Sequence, residues 1–179
     1  MQIDIDIEPI EDVPTVIFDI DGTLADIEHR RPFVTGKKKD FDSFNAAMDG
    51  DAPNDPIVEL LWMCDYAAKQ IIYCTGRMEQ YREVTRNFLL DKCWFESTYH
   101  TGVKCSRESI ERHIDTFLMM RPDERRHDPD SEIKQDMLNE ILKIVDKRNI
   151  LFAVDDRKRV VDMWRANGIT CLQVAEGNF

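Results

Sequence analysis

The sequence predicts an α/β protein with an open, doubly wound parallel sheet, helices on both faces and a small helical lid. Five short apolar or β-branched runs alternate with segments in which apolar residues recur at helical spacing. This alternation is typical of a parallel sheet that is covered by helices on both sides. Acidic or polar clusters follow three of these runs, and the carboxyl ends of strands are where such sheets bind ligands.

The elements are predicted in chain order from apolar runs, helical periodicity and Gly or Pro signals. An apolar run followed by Asp-Gly predicts the first strand over residues 13–20, and Pro56 opens a helix that leads to a β-branched second strand. Gly168 is a natural helix stop before the last strand. The later strands are expected over residues 70–74, 116–120, 150–154 and 169–174, with helices over residues 79–90, 131–147 and 160–166.

The chain is expected to form one domain, because 179 residues suffice for one full core. We assign residues 1–12 to an N-terminal extension and residues 13–179 to the domain. Residues 26–55 are polar, with one short helix over residues 41–48, and are predicted to form a small lid. Residues 92–115 are too irregular for another strand-helix unit and are predicted to be an insertion with a helix near residues 107–114.

Charge and composition limit the classes of function. The net charge of −11 excludes a general coat for nucleic acids, which needs many Lys and Arg side chains to displace counterions. Short basic runs remain at Arg30-Arg31, Lys37 to Lys39 and Arg125-Arg126, and each suits contact with a few phosphates or an ordinary solvated loop. No apolar segment approaches the roughly 20 residues of a membrane helix.

The N-terminal sequence and the cysteine pattern both favour a cytoplasmic protein with reduced thiols. The N-terminus alternates Ile with Asp and has no basic or apolar signal region, so a cytoplasmic protein is expected. The five cysteines are scattered without a CxxC pair, which favours reduced thiols. Cys93, His100, Cys105 and His113 are residue types that bind zinc, but their spacing matches no familiar finger, so a plain polar insertion is favoured.

Three clusters at strand ends predict a metal site. Asp19-Ile20-Asp21 follows the first strand, Thr75-Gly76-Arg77 the second and Asp155-Asp156-Arg157 the fourth. Carboxylates crowded at one edge repel each other unless a cation neutralises them. Oxygen ligands of this kind suit Mg²⁺, which also binds phosphate groups of substrates.

The run from Asp19 to Leu24, Asp-Ile-Asp-Gly-Thr-Leu, resembles the first motif of the haloacid dehalogenase (HAD) superfamily. The resemblance implies that Asp19 is a nucleophile that forms an aspartyl phosphate and that Asp21 is the general acid and base. It also implies that Thr75 bonds the phosphoryl group and that Lys134 neutralises charge. The Mg²⁺ ligands would come from Asp19, Asp21, Asp155 and Asp156.

The end of the chain, from Asp155-Asp156-Arg157 through Val160 to Phe179, is similar to the phosphatase domain of phage-type polynucleotide kinase-phosphatases. That similarity implies removal of 3′-phosphates in nucleic-acid end repair. It also implies that the substrate is bound by Arg30, Gly76, Arg77 and Asp130. The chain has no GxxxxGK[ST] loop, so no ATP-binding kinase module is expected in it and a stand-alone phosphatase is predicted.

Three functions therefore stay open. The first is a 3′-phosphatase for DNA or RNA ends, and the second is a phosphatase for nucleotides or other small phosphomonoesters, which the acidic charge favours. The third is a non-catalytic binding module that kept the fold, and the presence of both Asp19 and Asp21 argues against it.

Overall fold

A computed structural model of the chain describes residues 9–10, 12–95 and 106–176. Its strands are β1 (Thr15–Phe18), β2 (Ala25–Asp26), β3 (Ala52–Pro53), β4 (Gln70–Met78), β5 (Leu118–Arg121), β6 (Ile150–Asp155) and β7 (Cys171–Gln173). Its α-helices are α1 (Pro32–Thr35), α2 (Phe41–Ala46), α3 (Asp55–Tyr66), α4 (Arg82–Asn87), α5 (Arg107–Phe117), α6 (Asp130–Ile144) and α7 (Lys158–Ala166). A π-helix spans Phe88–Phe95, and single 3₁₀ turns span Met48–Gly50, Glu79–Tyr81, Asp123–Arg125 and Lys147–Asn149.

Five parallel strands form the main sheet in the order β5-β4-β1-β6-β7, which confirms the predicted doubly wound fold. The central strand β1 is buried throughout, and its side chains alternate between the two faces. Val16 and Phe18 pack in one core with α3 and α5, whereas Ile17 packs in a second core with α6 and α7. Helices therefore cover both faces of the sheet.

The order of the strands reverses at β1, and this places a crevice at its carboxyl end. Phe18 lies opposite Tyr73 of β4 on one side and Val154 of β6 on the other. The next residue, Asp19, donates its backbone N–H to the carbonyl of Val154 at 3.0 Å. This register brings Asp19 beside Asp155, the last residue of β6.

Several element boundaries differ from the sequence prediction, and two of them change the kind of element that holds a predicted residue. Strand β4 runs on to Met78, so Thr75, Gly76 and Arg77 lie within its extended end, where pairing with β5 is irregular between Cys74 and Met78. Thr116, predicted at the start of the third strand, ends a helix instead. Its hydroxyl donates to the carbonyl of Arg112 at 2.7 Å, one turn back, and so stays within α5.

The segment 26–55, called the lid segment below, leaves and rejoins the domain through an antiparallel pair of short strands. Ala25 pairs with Pro53 and Asp26 with Ala52, and the sequence prediction did not include this ribbon. Two residues per strand are too few to show an alternating pattern. Residues 96–105 of the predicted insertion, and most of the predicted N-terminal extension, lie outside the described residues.

Within residues 9–10, 12–95 and 106–176, no helix has the length and apolar character that crossing a membrane requires.

Candidate active site

The turn after β1 depends on a glycine. Gly22 has a φ of +80°, in the left-handed region that residues with side chains avoid. A Cβ atom added there would lie 2.4 Å from Oδ2 of Asp156. Gly22 therefore lets the turn close against the Asp156 carboxylate, and the loop carrying Asp19 and Asp21 meets the loop after β6.

Asp19 lies at the base of the site with both carboxylate oxygens held. Lys134 Nζ donates to Oδ1 at 2.6 Å, and the hydroxyl of Thr23 donates to Oδ2 at 3.0 Å. Lys134, on the first turns of α6, also donates to Oδ2 of Asp155 at 2.7 Å. All three side chains of this Asp19-Lys134-Asp155 bridge are almost fully buried, so their charges are screened little by water.

Burial and neighbouring charges shift the pKa values here. Burial, together with the charges of Asp155 and Asp156, raises the pKa of Asp19 although Lys134 opposes the shift. Burial alone would lower the pKa of Lys134, but the charges of Asp155 and Asp19 raise it above its usual value. Burial and the Asp155 charge raise the pKa of Asp156 to about 6. The raised pKa values mean that these crowded carboxyls resist ionising together, so a bound cation would favour their ionised forms.

Asp19, Asp155 and Asp156 form a group that fits a metal ion. One carboxylate oxygen from each lies within 4.8 Å of the others, and all three residues are buried. Both oxygens of Asp156 are buried without a hydrogen-bond partner among the described residues. Native proteins rarely leave buried carboxylate oxygens unpaired, so this donor set suits a hard divalent cation.

Asp21 is held differently from its predicted metal role. Its carboxylate does not join the three-carboxylate group among the described residues and instead faces two arginines. Arg30 Nη2 lies 2.7 Å from Asp21 Oδ1, and Arg77 donates to the same oxygen from Nε at 2.8 Å and Nη2 at 2.6 Å. Burial alone would raise the pKa of Asp21, but the charges of Arg77 and Arg30 outweigh it and lower the pKa to about 2.

Asp51, in the lid segment, is a residue that the sequence reasoning missed. Its buried carboxylate accepts from Arg30 Nε at 2.6 Å, Arg30 Nη2 at 2.7 Å and Arg77 Nη2 at 2.5 Å. His29 Nε2 lies 2.9 Å from the same carboxylate. An isolated Asp before a short strand carries no signal for such a role, since only the fold brings it to the arginines.

The end of β4 supplies the predicted Thr75 and Gly76. Thr75 is fully buried, and its hydroxyl oxygen accepts the backbone N–H of Arg77 at 3.2 Å. A Cβ atom at Gly76 would lie 2.9 Å from Oδ1 of Asp130. Gly76 therefore allows Asp130 to approach the backbone of β4, which a side chain at this position would obstruct.

Asp130, at the start of α6, binds two arginines that the sequence reasoning did not select. Its carboxylate accepts hydrogen bonds from Arg121 and from Arg157. Arg121 is also held by the carbonyls of Gly76 at 2.9 Å and Asp128 at 2.7 Å. Arg121 had only its position at the end of a strand as a signal. Arg157 follows the acidic pair after another strand and also lies in the stretch on which the family similarity rests.

A cavity of about 420 Å³ lies above these residues. Asp19, Asp21 and Lys134 line its base, and Phe41 and Phe44 of the lid segment line one wall. From the three basic runs, the lining residues are Lys39 and Arg126, while Arg30 is buried below beside Asp51. The structure thus joins the predicted site residues to the lid segment in one concave surface.

The four Cys and His residues that were weighed as zinc ligands are only partly described. Cys93 is fully buried, and burial raises the pKa of its thiol above the usual range. The ring of His113 lies against Phe117, with 4.9 Å between the ring centroids. His100 and Cys105 lie outside the described residues.

A family model described as "Polynucleotide kinase PNKP phosphatase domain" matches residues 13–179. The chain belongs to this family. The expected phosphatase of the HAD superfamily is thereby confirmed. Members of this superfamily generally use a divalent metal, and the chain has a buried acidic group, Asp19, Asp155 and Asp156, that fits one.

Solved structures agree with the family. A chain of the "Pnkp1/Rnl/Hen1 complex" is 29% identical with a TM-score of 0.64, and the match covers 97% of this chain and 50% of that chain. The "Pnkp1/Rnl/Hen1 RNA repair complex" matches at 29% identity and a TM-score of 0.63, over 97% and 46%. This PNKP-type domain therefore spans about half the length of these relatives.

A more distant match shows the fold alone. A class C acid phosphatase from Bacillus anthracis, solved with tungstate bound, is 12% identical with a TM-score of 0.60, and the match covers 95% of this chain and 69% of that chain.

Proposed function

We propose that the chain is a Mg²⁺-dependent 3′-phosphatase of DNA or RNA ends that works through an aspartyl phosphate on Asp19. The observation that carries this proposal is the position of Asp19. Its carboxylate lies at the base of the cavity, at the carboxyl end of the central strand, and Lys134 and Thr23 fix both of its oxygens. A fixed, partly neutralised carboxylate is suited to attack on phosphorus.

In the first step, an oxygen of Asp19 bonds to phosphorus while the bond from phosphorus to the ester oxygen breaks. The leaving oxygen needs a proton, and we assign this role to Asp21, which lies two residues away on the same loop and lines the cavity. In the second step, water attacks the aspartyl phosphate, Asp21 takes a proton from that water, and the bond from Asp19 to phosphorus breaks. Inorganic phosphate and an intact Asp19 result.

The arginines explain how Asp21 can serve as an acid. Without substrate, Arg30 and Arg77 donate to Asp21 and lower its pKa to about 2, which keeps it ionised. Arg77 lines the cavity, so phosphoryl oxygens bound there compete with Asp21 for its guanidinium donors. When Arg77 donates to the phosphoryl group instead of Asp21, Asp21 loses the larger of the two charge contributions and its pKa rises, so that it can hold the proton for the leaving oxygen.

Asp19, Asp155 and Asp156 would hold the Mg²⁺ ion, which when bound supplies positive charge beside the nucleophile and the phosphoryl oxygens. The unpaired oxygens of Asp156 support this assignment, as does the excess of carboxylates over cations. Asp21, which sequence similarity also implied as a ligand, keeps its carboxylate on the arginines, so we propose that its side chain serves proton transfer.

Family membership supports a nucleic-acid end as substrate. The second relative is named an RNA repair complex, and the name describes that assembly. The acidic net charge of −11 favours a second candidate, a phosphatase for free nucleotides or similar small phosphomonoesters. The two candidates share all the catalytic roles above and differ in whether the cavity takes the end of a longer chain.

The test is a comparison of kcat/KM for phosphate release from a 3′-phosphorylated oligonucleotide, the matching 5′-phosphorylated one and the 3′-mononucleotide. The proposal expects the 3′-phosphorylated oligonucleotide to be preferred, with Asp19→Asn as the inactive control for each substrate. Better turnover of the mononucleotide than of every oligonucleotide would replace the first candidate with the second.

A further inference from the structure

The cavity has two chemically different sides. Its base carries the carboxylates, Lys134 and Arg77, whereas the wall formed by the lid segment is mostly apolar. Phe41, Phe44, Asn45 and Met48 contribute to that wall. A phosphoryl group uses only the polar base, so the wall is available for the rest of the substrate.

Helix α2 arranges this wall by its periodicity. Phe44 and Met48 are buried and anchor the helix, and the ring of Phe44 packs on the guanidinium of Arg30 with 4.2 Å between Cζ and the centroid. Phe41 and Asn45 are four residues apart and therefore lie on one face of the helix. The carboxylate of Asp40 caps the helix by accepting the backbone N–H of Ser43 at 3.0 Å, which fixes where Phe41 begins it.

Phe41 is exposed although it lines the cavity. Just over half of its surface, 52%, is accessible. A large exposed ring on a concave wall contributes little to folding stability, but it is a surface on which a nucleobase can stack. Asn45 adds an amide beside it, which can donate to and accept from the edge of a base.

Basic side chains border the same region. Lys39 Nζ lies 6.0 Å from the centroid of the Phe41 ring, and Arg126 and Arg159 line the cavity with it. These three residues are exposed, so they suit a backbone phosphate near the cavity mouth. The cavity lining therefore combines a phosphoryl site, an aromatic wall and exposed cationic side chains.

We infer that the wall formed by Phe41 and Asn45 is a stacking subsite for the nucleobase of the 3′-terminal nucleotide. The inference rests on the proposed function and deepens it, since it names the part of the substrate that the lid segment recognises. Stacking depends on the flat face that every base has, so the subsite tolerates all four bases.

The test combines two substrates with four forms of the enzyme. One oligonucleotide carries its 3′-phosphate on an ordinary terminal nucleotide, and the other carries it on an abasic terminal residue. The enzymes are wild type, Phe41→Ala, Phe41→Tyr and Phe33→Ala. Phe33 is a matched control because it is also an exposed lid-segment phenylalanine, 41% accessible, and is not among the residues that line the cavity in the described structure.

We expect Phe41→Ala to lower kcat/KM about tenfold on the base-bearing substrate, mainly through KM, as loss of one stacking contact predicts. On the abasic substrate, kcat/KM should change by less than about twofold, because this substrate has no base to stack on Phe41. Phe41→Tyr should restore the wild-type value, and Phe33→Ala should match wild type on both substrates.

Equal effects of Phe41→Ala on the two substrates, or no effect on either, would overturn the subsite while leaving the 3′-phosphatase proposal intact. Glycerol 2-phosphate, which has no nucleoside, distinguishes failure of the nucleic-acid assignment from failure of the subsite alone. If the wild type hydrolyses glycerol 2-phosphate but neither oligonucleotide, the nucleic-acid assignment fails and the subsite fails with it.

Discussion

Arg30 and Asp51 form a buried, two-pronged ion pair, with Nε 2.6 Å from Oδ1 and Nη2 2.7 Å from Oδ2. Neither side chain has any exposed surface. Arg77 joins the same carboxylate at 2.5 Å, so Asp51 fixes both arginines that contact Asp21. The lid segment thus positions the cations of the site as well as forming a wall of the cavity.

Asp51→Asn is expected to destabilise the fold and to impair catalysis. The amide group would turn a donor toward guanidinium donors and leave buried positive charge uncompensated, at a cost of about 3–5 kcal/mol. We expect a lower midpoint of urea unfolding and a reduced kcat in the folded fraction. Asp49→Asn, in the same segment but exposed, is the matched control. Wild-type stability and kinetics for Asp51→Asn would mean that the arginines hold their positions without it.

Asp19→Asn is expected to remove phosphate release entirely while keeping the fold. The amide cannot attack phosphorus, yet it is nearly the same size and can still accept from Lys134 or Thr23. Because the Asp19 carboxylate is crowded by Asp155 and Asp156, its loss should not lower the Tm of the metal-free protein. Phosphate release and thermal unfolding check both parts, and substantial turnover by folded Asp19→Asn protein would exclude the aspartyl phosphate.

Mg²⁺ should stabilise the protein more at high pH than at low pH. A carboxyl whose pKa rises on folding gives stability below its unfolded pKa of 3.8, and that stability is lost as pH passes the folded value, about 6 for Asp156. Between about pH 4 and about pH 7 the metal-free protein loses this contribution, and Mg²⁺ offsets the loss. Tm measured with chelator and with Mg²⁺ at both pH values tests it.

The control for that measurement is Asp156→Asn. In chelator at the higher pH it should be more stable than wild type, because one buried charge is gone, and it should gain little from Mg²⁺. A Mg²⁺-induced rise in Tm that is the same in Asp156→Asn and wild type would show that the ion binds elsewhere.

Gly22→Ala is expected to weaken Mg²⁺ binding as well as stability. The positive φ of Gly22 costs an alanine about 1–2 kcal/mol, and the added Cβ would press on Oδ2 of Asp156. The Mg²⁺ concentration for half-maximal activity should therefore rise. Gly36→Ala is the control, since its Cβ would meet no described atom nearer than 3.7 Å. Unchanged Mg²⁺ dependence in Gly22→Ala would contradict the contact with Asp156.

Local sequence patterns were enough to predict the sheet and its acidic edge. Buried strands are recognised in the sequence as apolar runs. In a parallel sheet the residues that follow these strands lie at the same edge, so Asp19 and Asp155 were expected to lie close together. Arg77 was selected because it follows a strand and matches a family motif. In these cases the signal lies within a few residues of the side chain that uses it.

Asp51 and Arg121 could not be selected in the same way, and Arg157 was given no role although it follows a strand within the stretch of family similarity. Asp51 reaches Arg77 only because the lid segment folds back over the sheet edge, a contact between residues 26 positions apart. The pairing of Asp130 with Arg121 and Arg157 depends on how α6 is placed against β4 and β6. Such contacts between distant elements leave no periodicity in the sequence.

The bridge from Lys134 to Asp19 and Asp155 sets the valence of the cation that the site accepts. When Asp19, Asp155 and Asp156 are all ionised and Lys134 is charged, two negative charges remain among these four groups in a region with little water. A divalent ion restores electroneutrality there, whereas a monovalent ion leaves a net negative charge facing the dianionic phosphoryl group. Occupancy by the ion should therefore precede productive substrate binding, and the apparent KM for any phosphate ester should fall as the free Mg²⁺ concentration rises.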